Sequence, residues 1–166
     1  MTDKYIADYC PACGSPTARQ IHDGRPRPVC PACGHIVYFD PKVAVVSFVT
    51  DGERVLLVQR ANDPGRGLWA MAGGYVEMDE HPEDTARREM REETGLEIET
   101  GRVLDVFWRV KDGGVITIAY EARITGGTLQ PGDDAQQVGW FTPDQLPELV
   151  FISTISLCQR WAEGAL

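Results

Sequence analysis

Three glutamates of the chain have the spacing of a metal site on a helix. Glu89, Glu92 and Glu93 stand at positions i, i+3 and i+4, so on a helix all three carboxylates project from one face. They lie just ahead of Gly95, a residue typical of helix ends, where the helix dipole is unfavourable to anions. Like charges at these spacings repel by roughly 0.2–0.5 kcal/mol per pair, whereas a divalent cation would reverse that balance. Carboxylate oxygens are the ligands that Mg2+ and Mn2+ prefer.

The alternative is a solvated helix surface in which arginines neutralise the glutamates. The arginines available on the same stretch are Arg87, Arg88 and Arg91. Charged helix faces usually serve only solubility, so the spacing alone does not decide between the two interpretations.

The residues that flank the glutamates indicate where the helix begins and ends, with two glycines upstream of it. His81-Pro82-Glu83-Asp84 is typical of a helix start, because proline suits the first helical position and acids complement the dipole there. Gly73-Gly74, further upstream, lets the backbone approach a metal or a phosphate closely. We therefore expect a helix that begins near His81 and ends near Gly95.

The whole string resembles the Nudix box at every defined position. The matching residues, at the fixed offsets of that motif, are Gly74, Glu80, Arg88-Glu89-Met90, Glu92-Glu93 and Gly95-Leu96. With the flanking "LLVQR", "GGYVE" and "WFTPDQLP", the resemblance to Nudix hydrolases covers about residues 41–160. It implies an α+β fold, the Nudix α/β/α sandwich around a mixed sheet, and hydrolysis of a diphosphate linkage with the help of Mg2+ or Mn2+.

The resemblance also implies roles for single residues of the box. Glu89, Glu92 and Glu93 would hold the divalent metal, and the carbonyl of Gly73 would add a ligand. Arg88 would orient Glu89.

The general base varies among Nudix enzymes, and two acids are candidates for it here. Glu80 belongs to the box, whereas Asp134 stands ahead of Trp140, where related proteins often carry an acid near the metal. The apolar positions of the helix and its end are expected to face the core, and these are Ala86, Met90 and Leu96.

A second chemical pattern lies in the first forty residues. Cys10, Cys13, Cys30 and Cys33 form C-x2-C-x16-C-x2-C, which is the spacing of a zinc site. Four thiolates make a closed tetrahedral shell, so the role of the zinc would be structural. The intervening "PTARQIHDGRPRPV" predicts a short hairpin. We therefore expect a zinc ribbon over residues 1–40 and a Nudix domain over residues 41–166.

Disulfides and redox chemistry are the competing interpretations of the cysteine pairs. A reducing compartment disfavours disulfides, and the absence of a following βαβ pattern disfavours a redox motif. His35 follows the last cysteine of the pattern, but four thiolates already close the shell. Cys158, in the amphipathic C-terminal stretch, is expected to be a buried apolar residue and not a nucleophile.

The remaining sequence predicts the scaffold. Residues 43–60 are apolar and β-branched on both sides of Asp51-Gly52, a dipeptide favoured in two-residue hairpin turns. Strands are also predicted at "VLDVFWRV" and "VITIAYEARI", on either side of "KDGG", and the chain ends in a turn and a helix. This order fits an α+β or α/β/α fold with a mixed sheet.

Composition limits the partners and the location. The 166 residues carry a formal charge of −9, which argues against a nucleic-acid partner and favours metal ions as intermediaries for phosphate. No apolar run approaches the ~18 residues of a membrane span, and no secretory signal is visible. We expect a cytoplasmic protein without membrane association. The resemblance adds a homodimer as an option, although no stretch identifies an interface.

The resemblance also narrows the substrate. The proline-rich run that marks NADH pyrophosphatases after the box is absent, and "EIETGRVLDVFWRVKDGG" stands in its place. Stretches such as "YCPACGSPT", "GLWAMAGGYVEMDEH" and "PELVFIST" are similar to a zinc-ribbon group of FAD and ADP-ribose pyrophosphatases. ADP-ribose or FAD is therefore the expected substrate. The alternatives are NADH, an oxidised nucleoside triphosphate and, in another class, a non-catalytic nucleotide sensor or interaction module.

Several residues outside the box are candidates for contact with the substrate. Arg60 and Arg66 could meet phosphate from a strand end and a Gly-rich loop. Trp69, Phe107 and Trp108 could stack on adenine or flavin, although such aromatic residues more often belong to the core.

Overall fold

The computed structural model describes residues 6–110 and 114–166, and the chain divides into two compact units. Residues 6–41 belong to the first unit, and Lys42–Val110 with Val115–Leu166 form the second. Most of the predicted "KDGG" turn, residues 111–113, lies outside the described residues.

The first unit contains the predicted hairpin. Strand β1 (Ala18–His22) pairs antiparallel with strand β2 (Arg25–Val29). The two residues between them, Asp23 and Gly24, have positive φ values of 51° and 73°. Such values match the right-handed twist of hairpin strands, so this local prediction is confirmed.

Within the described residues, the second unit contains two three-stranded sheets. Its strands are β3 (Lys42–Val49), β4 (Val55–Arg60), β5 (Trp69–Ala70), β6 (Leu96–Arg109), β7 (Val115–Gly127) and β8 (Ala135–Phe141). One sheet has the order β3-β7-β6, in which β7 is parallel to β3 and antiparallel to β6. The other has the order β5-β4-β8 and is antiparallel throughout. The first sheet is therefore mixed, as predicted.

Helix α1 (Pro82–Thr94) begins and ends where the sequence predicts. The Nδ1 atom of His81 accepts a hydrogen bond from the backbone N–H of Glu83 at 3.4 Å. Gly95 adopts the left-handed conformation with φ 69° and donates its N–H to the carbonyl of Arg91 at 2.9 Å. Both ends thus follow from local capping chemistry.

Helix α2 (Ile152–Ala162) and helix α1 cover opposite faces of the mixed sheet. Val45 of β3 packs with Ala86 of α1, whereas Phe48 of the same strand packs with Leu157 of α2. Side chains three positions apart on a strand point to opposite faces. This layering confirms the α/β/α sandwich. Neither helix of the described chain has the length and apolar character needed to cross a bilayer.

The residues expected in the core are buried. Ala86, Met90, Leu96 and Cys158 are all at most 5% exposed. Burial raises the pKa of the Cys158 thiol to about 12, so this residue stays a neutral apolar group.

The hairpin predicted over residues 43–60, with a two-residue turn at Asp51-Gly52, is wrong. The chain does reverse there, but the isolated bridge between Thr50 and Val55 encloses four residues. Strands β3 and β4 belong to different sheets. Residues 72–76, here called the Gly-rich segment, occupy the edge of β3 that β4 would need. Val45 donates its N–H to the carbonyl of Gly74, and Ser47 donates to the carbonyl of Ala72, both at 2.9 Å. The Gly-rich segment, which takes the place of β4 beside β3, is distant from β3 in sequence. Its pairing fixes the Gly-rich segment on the edge of the mixed sheet.

Candidate active site

The four cysteines of the first unit converge on one point. Their Sγ atoms all lie within 4.8 Å of one another, with 3.7 Å between Cys10 and Cys33 and 3.5 Å between Cys13 and Cys30. A tetrahedral zinc ion with Zn–S bonds of about 2.3 Å would hold its sulfurs about 3.8 Å apart. The thiols are free, so the cluster fits a metal ion and not a pair of disulfides.

Equivalent backbone hydrogen bonds build the two halves of this cluster. Cys10 accepts a bond from the N–H of Gly14, and Cys30 accepts one from the N–H of Gly34, both at 2.9 Å. Cys30 also donates its own N–H to the carbonyl of His35 at 2.8 Å. His35 therefore contributes its backbone to the turn, and its imidazole is not part of the cluster.

In the second unit, Glu93 of α1 is a buried carboxylate, with only 6% of the residue exposed. Its Oε2 atom accepts a hydrogen bond from the N–H of Gly73 at 2.9 Å. Burial raises the pKa of Glu93 to about 7, and the charges of Glu89 and Asp134 add to that rise. The Gly73 N–H and the charge of Arg60 act in the opposite direction. A buried carboxylate beside like charges is stabilised by a cation, so the position fits a metal ligand.

Gly74 makes room for the second carboxylate of this face. A Cβ atom on residue 74 would lie 2.3 Å from Oε1 of Glu89, so a side chain at this position would displace the Glu89 carboxylate. The Glu89 side chain is only 15% exposed, and burial is the main cause that raises its pKa. The glycine of the loop and the glutamate of the helix therefore form one close contact.

Arg88 lies between Glu89 and the third carboxylate, Glu92. Its Nη1 atom donates to Oε1 of Glu89 at 2.8 Å and to Oε2 of Glu92 at 2.9 Å. Among the described residues, the three carboxylates of α1 do not form a group as tight as that of the cysteines. Mg2+ usually binds one or two carboxylates directly and the others through water, so the looser arrangement suits it.

Glu80 is the partner that holds Arg88. Its Oε1 accepts from Nε of Arg88 at 2.7 Å, and its Oε2 accepts from Nη2 at 2.9 Å and from Oγ1 of Thr85 at 2.9 Å. These bonds, chiefly those from Arg88, lower the pKa of Glu80 to about 2. A carboxylate with both oxygens engaged is a weak proton acceptor. The geometry favours a supporting role over the general-base role that the sequence left open.

The segment between β7 and β8 closes the C-terminal end of helix α1. The N–H groups of Thr128, Gln130 and Gly132 donate, at 3.0–3.2 Å, to the carbonyls of the cap residue Gly95 and of the last two helical residues. These carbonyls have no partner within the helix, so the segment satisfies them. A Cβ atom on Gly132 would lie 1.8 Å from the carbonyl oxygen of Glu92. The contact places the next residues, including Asp134, near enough to the glutamates of α1 for the charge of Asp134 to act on Glu93.

Asp134 is held by two hydrogen bonds from the loop that follows β4. Its Oδ1 atom accepts a hydrogen bond from Nδ2 of Asn62 at 2.8 Å, and its carbonyl accepts from the N–H of Ala61 at 2.9 Å. The side chain is exposed, and its charge contributes to the raised pKa of Glu93. Asp134 therefore faces the buried carboxylate from the solvent side.

Comparison with known families identifies this arrangement. A NUDIX domain model matches residues 40–155, and a Nudix N-terminal zinc-ribbon model matches residues 8–39. The chain belongs to the Nudix hydrolase family.

Individual relatives agree with this membership. The Nudix hydrolase is 36% identical, over 77% of its length, to 79% of an archaeal protein from Methanocaldococcus jannaschii named ADP-ribose pyrophosphatase. It is 30% identical over 85% of its length to the NAD-capped RNA hydrolase NudC of Stutzerimonas stutzeri, of which it spans 50%. A crystal structure of a Nudix hydrolase from Nitrosomonas europaea superposes with a TM-score of 0.85 at 27% identity, covering 95% of this chain and 91% of that one.

Arg60 is a predicted phosphate contact whose charge acts on the buried Glu93. It ends β4 at a register shift against β8, and its charge lowers the pKa of Glu93. Its Nε donates to the carbonyl of Pro64 at 2.9 Å, and its Cζ lies 5.0 Å from the ring centroid of Phe151. A shift of this kind re-aims a side chain relative to the regular strand.

The other predicted contacts have different surroundings. Arg66 is exposed and donates Nε to the carbonyl of Ala61 at 2.8 Å. Trp69 packs edge to face on Phe141 at 4.7 Å and joins the core, which is the commoner fate of such a residue. Phe107 packs against the same core cluster, whereas Trp108 is 57% exposed.

Sequence reasoning missed four residues that shape the site of this Nudix hydrolase. They are Asn62, Tyr75, Thr85 and Phe151. Asn62 is 72 residues from its partner Asp134, so no local pattern reveals the pair. Tyr75 did carry a signal, because it follows the conspicuous Gly73-Gly74 and its carbonyl accepts from Nη2 of Arg88 at 3.3 Å.

Proposed function

We propose that this protein is a metal-dependent pyrophosphohydrolase that cleaves the diphosphate of ADP-ribose or FAD. The observation that carries the proposal is the buried Glu93 carboxylate, held by the Gly73 N–H beside Glu89 at the end of a Nudix helix. The 36%-identical relative named ADP-ribose pyrophosphatase supports the substrate class.

The residues present fit Mg2+ or Mn2+, because the donor set consists of hard carboxylate oxygens. Glu89, Glu92 and Glu93, with the carbonyl of Gly73, would hold the ion. When bound, the ion neutralises phosphate charge and lowers the pKa of a coordinated water. Arg88 holds Glu89 and Glu92 beside each other and offsets their mutual repulsion, since its Nη1 donates to both carboxylates.

Asp134 is our candidate for the proton acceptor. The bond from Asn62 occupies Oδ1 and fixes the carboxylate, which leaves Oδ2 to accept a proton from water. The water oxygen then bonds to one phosphorus, and the bond from that phosphorus to the bridging oxygen breaks. The proton of the water passes to Asp134, and the second phosphate leaves. ADP-ribose would give AMP and ribose 5-phosphate, and FAD would give AMP and FMN.

Arg60 and Arg66 supply the positive charge that an acidic protein needs to bind two phosphates. Arg60 lies at the end of β4 near Glu93, so it suits the phosphate next to the metal. Arg66 is exposed in the adjoining loop and suits the more distant part of the substrate. One guanidinium group can donate two parallel hydrogen bonds to two phosphate oxygens, which favours arginine at both positions.

The cysteine cluster supports a structural zinc ion in a ribbon over residues 1–40, ahead of a Nudix domain over residues 41–166. Four thiolates close the coordination shell, so no open position is left for a substrate or for water. Reduced cysteines of this kind fit a reducing compartment such as the cytoplasm.

A second candidate substrate is NADH or another NAD-linked diphosphate. The relative named NudC, 30% identical over 85% of this chain, favours it. The chain spans only half of that protein, so the two substrates must be compared directly.

The test is a product screen by mass spectrometry. Purified protein with Mg2+ or Mn2+ is incubated with ADP-ribose, FAD, NADH and an oxidised nucleoside triphosphate in 18O-labelled water. We expect AMP and the matching monophosphate, with the label in one of them, and the highest kcat/KM for ADP-ribose or FAD. Cleavage of none of the four would reject the enzyme proposal and leave a nucleotide sensor.

A further inference from the structure

Phe151, immediately before helix α2, has an unusual backbone conformation. Its φ is 68° and its ψ is 135°, and its side chain does not cap the helix. Positive φ is uncommon for residues other than glycine and is an outlier for a bulky side chain. Among the described non-glycine residues only Asp23 shares it, and Asp23 lies in a tight hairpin turn.

The chain on both sides of Phe151 is fixed by strand β5 and its continuation. Val150 donates its N–H to the carbonyl of Trp69 at 2.9 Å. Thr154, which is fully buried, accepts at Oγ1 a bond from the N–H of Met71 at 3.2 Å. Such strain persists only where the surroundings over-determine it, and it is concentrated at functional sites.

The Phe151 ring supports the guanidinium of Arg60. The Cζ atom lies 5.0 Å from the ring centroid, within the range of a cation–π contact. The bond from Nε to the carbonyl of Pro64 holds the same group from a second direction. Among the described residues no hydrogen bond is made by Nη1 or Nη2 of Arg60. Both are therefore available to an anion.

Arg60 lies at the end of β4, beside the segment that carries Asp134. The register shift at the end of β4 pairs it with Ala135, next to Asp134. Its charge also acts on the buried carboxylate of Glu93. A ring under this guanidinium thus restricts a long side chain whose rotamer freedom would otherwise weaken phosphate binding.

We propose that Phe151 is a positioning residue that holds the Arg60 guanidinium, through its ring, so that Nη1 and Nη2 meet non-bridging oxygens of the substrate diphosphate. This inference rests on the proposed function. Glycine would satisfy the backbone at this position, but it would leave the Arg60 guanidinium without the ring beneath it.

Three variants of this position separate the ring from the backbone. Phe151→Leu keeps apolar bulk, Phe151→Tyr keeps the aromatic face, and Phe151→Gly removes the side chain while suiting the positive φ. We expect Phe151→Leu and Phe151→Gly to raise KM by about 3- to 10-fold with kcat nearly unchanged. Phe151→Tyr should keep the KM of the wild type. Phe151→Gly should melt no lower than Phe151→Leu, because it relieves the strained backbone. A fall of kcat and melting temperature in all three variants, with KM unchanged, would indicate a merely structural role and overturn the proposal.

A double variant tests whether Phe151 acts through Arg60. If it does, Phe151→Leu combined with Arg60→Ala binds substrate no worse than Arg60→Ala alone. If the losses of substrate affinity from the two single substitutions multiplied in the double variant, the proposal would be overturned.

Binding of ADP with Mg2+, measured by calorimetry, distinguishes this proposal from the enzymatic one. If the wild type cleaves nothing, the proposed function fails, but Phe151→Leu should still weaken ADP binding by about 3- to 10-fold. Equal ADP binding by wild type and Phe151→Leu would overturn the positioning role even in an active enzyme.

Discussion

The guanidinium of Arg88 and the carboxylate of Glu80 meet through two hydrogen bonds, Nε to Oε1 at 2.7 Å and Nη2 to Oε2 at 2.9 Å. The remaining nitrogen, Nη1, contacts both Glu89 and Glu92. A residue before the helix therefore sets the position of two carboxylates on it, and the supporting role can be separated experimentally from proton transfer.

Glu80→Gln should loosen Arg88 without removing a proton acceptor. The amide accepts at one atom where the carboxylate accepts at two, so we expect kcat to fall by about 10-fold with an unchanged pH profile. The measurement is kcat against pH between 5 and 9, with added Mg2+ varied to detect weaker metal binding. Loss of the acid limb of the profile would instead identify Glu80 as the base.

Asp134→Asn should show the opposite pattern. The amide keeps the shape of the side chain but cannot take up a proton, so we expect kcat to fall by about 10²–10⁴-fold and its acid limb to disappear. Asn62→Ala is the matched control, because it frees Oδ1 while the carboxylate remains, and its loss should be smaller. A near-normal rate for Asp134→Asn would exclude it as the base.

Glu93→Gln should lower turnover by orders of magnitude yet stabilise the fold without Mg2+. The pKa of Glu93 rises from 4.5 to about 7 on folding, so its ionised form destabilises the protein. That penalty is absent below pH 4.5, grows as the pH rises toward 7 and is complete above it. The gain should be on the order of 3 kcal/mol at pH 8.

The measurement for Glu93→Gln is urea unfolding at pH 5 and pH 8 in Mg2+-free buffer without a chelator, so that zinc is retained. Added Mg2+ should stabilise the wild type more than the variant. Equal free energies of unfolding for the wild type and Glu93→Gln at pH 8 would contradict the destabilising effect of a buried, ionised Glu93.

Gly74→Ala should disrupt the metal face while leaving most of the fold intact. The new methyl group would lie 2.3 Å from Oε1 of Glu89, so that side chain must move. We expect Mn2+ affinity, followed by electron paramagnetic resonance, to fall by at least about 10-fold, since one carboxylate ligand is displaced. Gly101→Ala is the control, because its methyl group would meet nothing closer than 3.4 Å. Equal Mn2+ binding by both variants would contradict the close contact.

Cys30→Ser should release zinc and unfold the ribbon. Cys30 is completely buried and contributes one of four thiols, and a serine hydroxyl is a poor substitute for a thiolate ligand. Zinc content by mass spectrometry should drop from one ion per chain to about zero, with a lower melting temperature and no specific change of kcat. Cys158→Ala, a change at an equally buried thiol outside the cluster, should keep its zinc. A stable Cys30→Ser protein with full zinc would exclude the four-thiolate site.

Local chemistry made parts of this molecule predictable from sequence. His81 and Gly95 carry the capping interactions of α1 themselves, so both helix ends follow from neighbouring residues. The spacing of the glutamates fixes their common face for the same reason, because a helix converts sequence offset directly into position. The cysteine pattern is equally local, with each pair contained in one turn.

Partners distant in sequence made the rest unpredictable. Strand β3 pairs with the Gly-rich segment and not with β4, although the apolar pattern favours a simple hairpin. The support of Arg60 by Phe151 joins residues whose proximity depends on how β5 meets the start of α2. No periodicity or turn signal encodes such contacts, since they arise only when separate elements pack.

The hydrogen bonds between α1 and the segment that bears Thr128, Gln130 and Gly132 limit how the protein can diversify. Because main-chain atoms on both sides form them, the side chains of Thr128 and Gln130 can vary, whereas Gly132 cannot be replaced and a change in the length of the segment is not tolerated. An insertion between β7 and β8 would carry Asp134 away from the glutamates. New substrate preferences should therefore be engineered in the loop between β4 and β5, where Arg66 and its neighbours are exposed and the helix end is not involved.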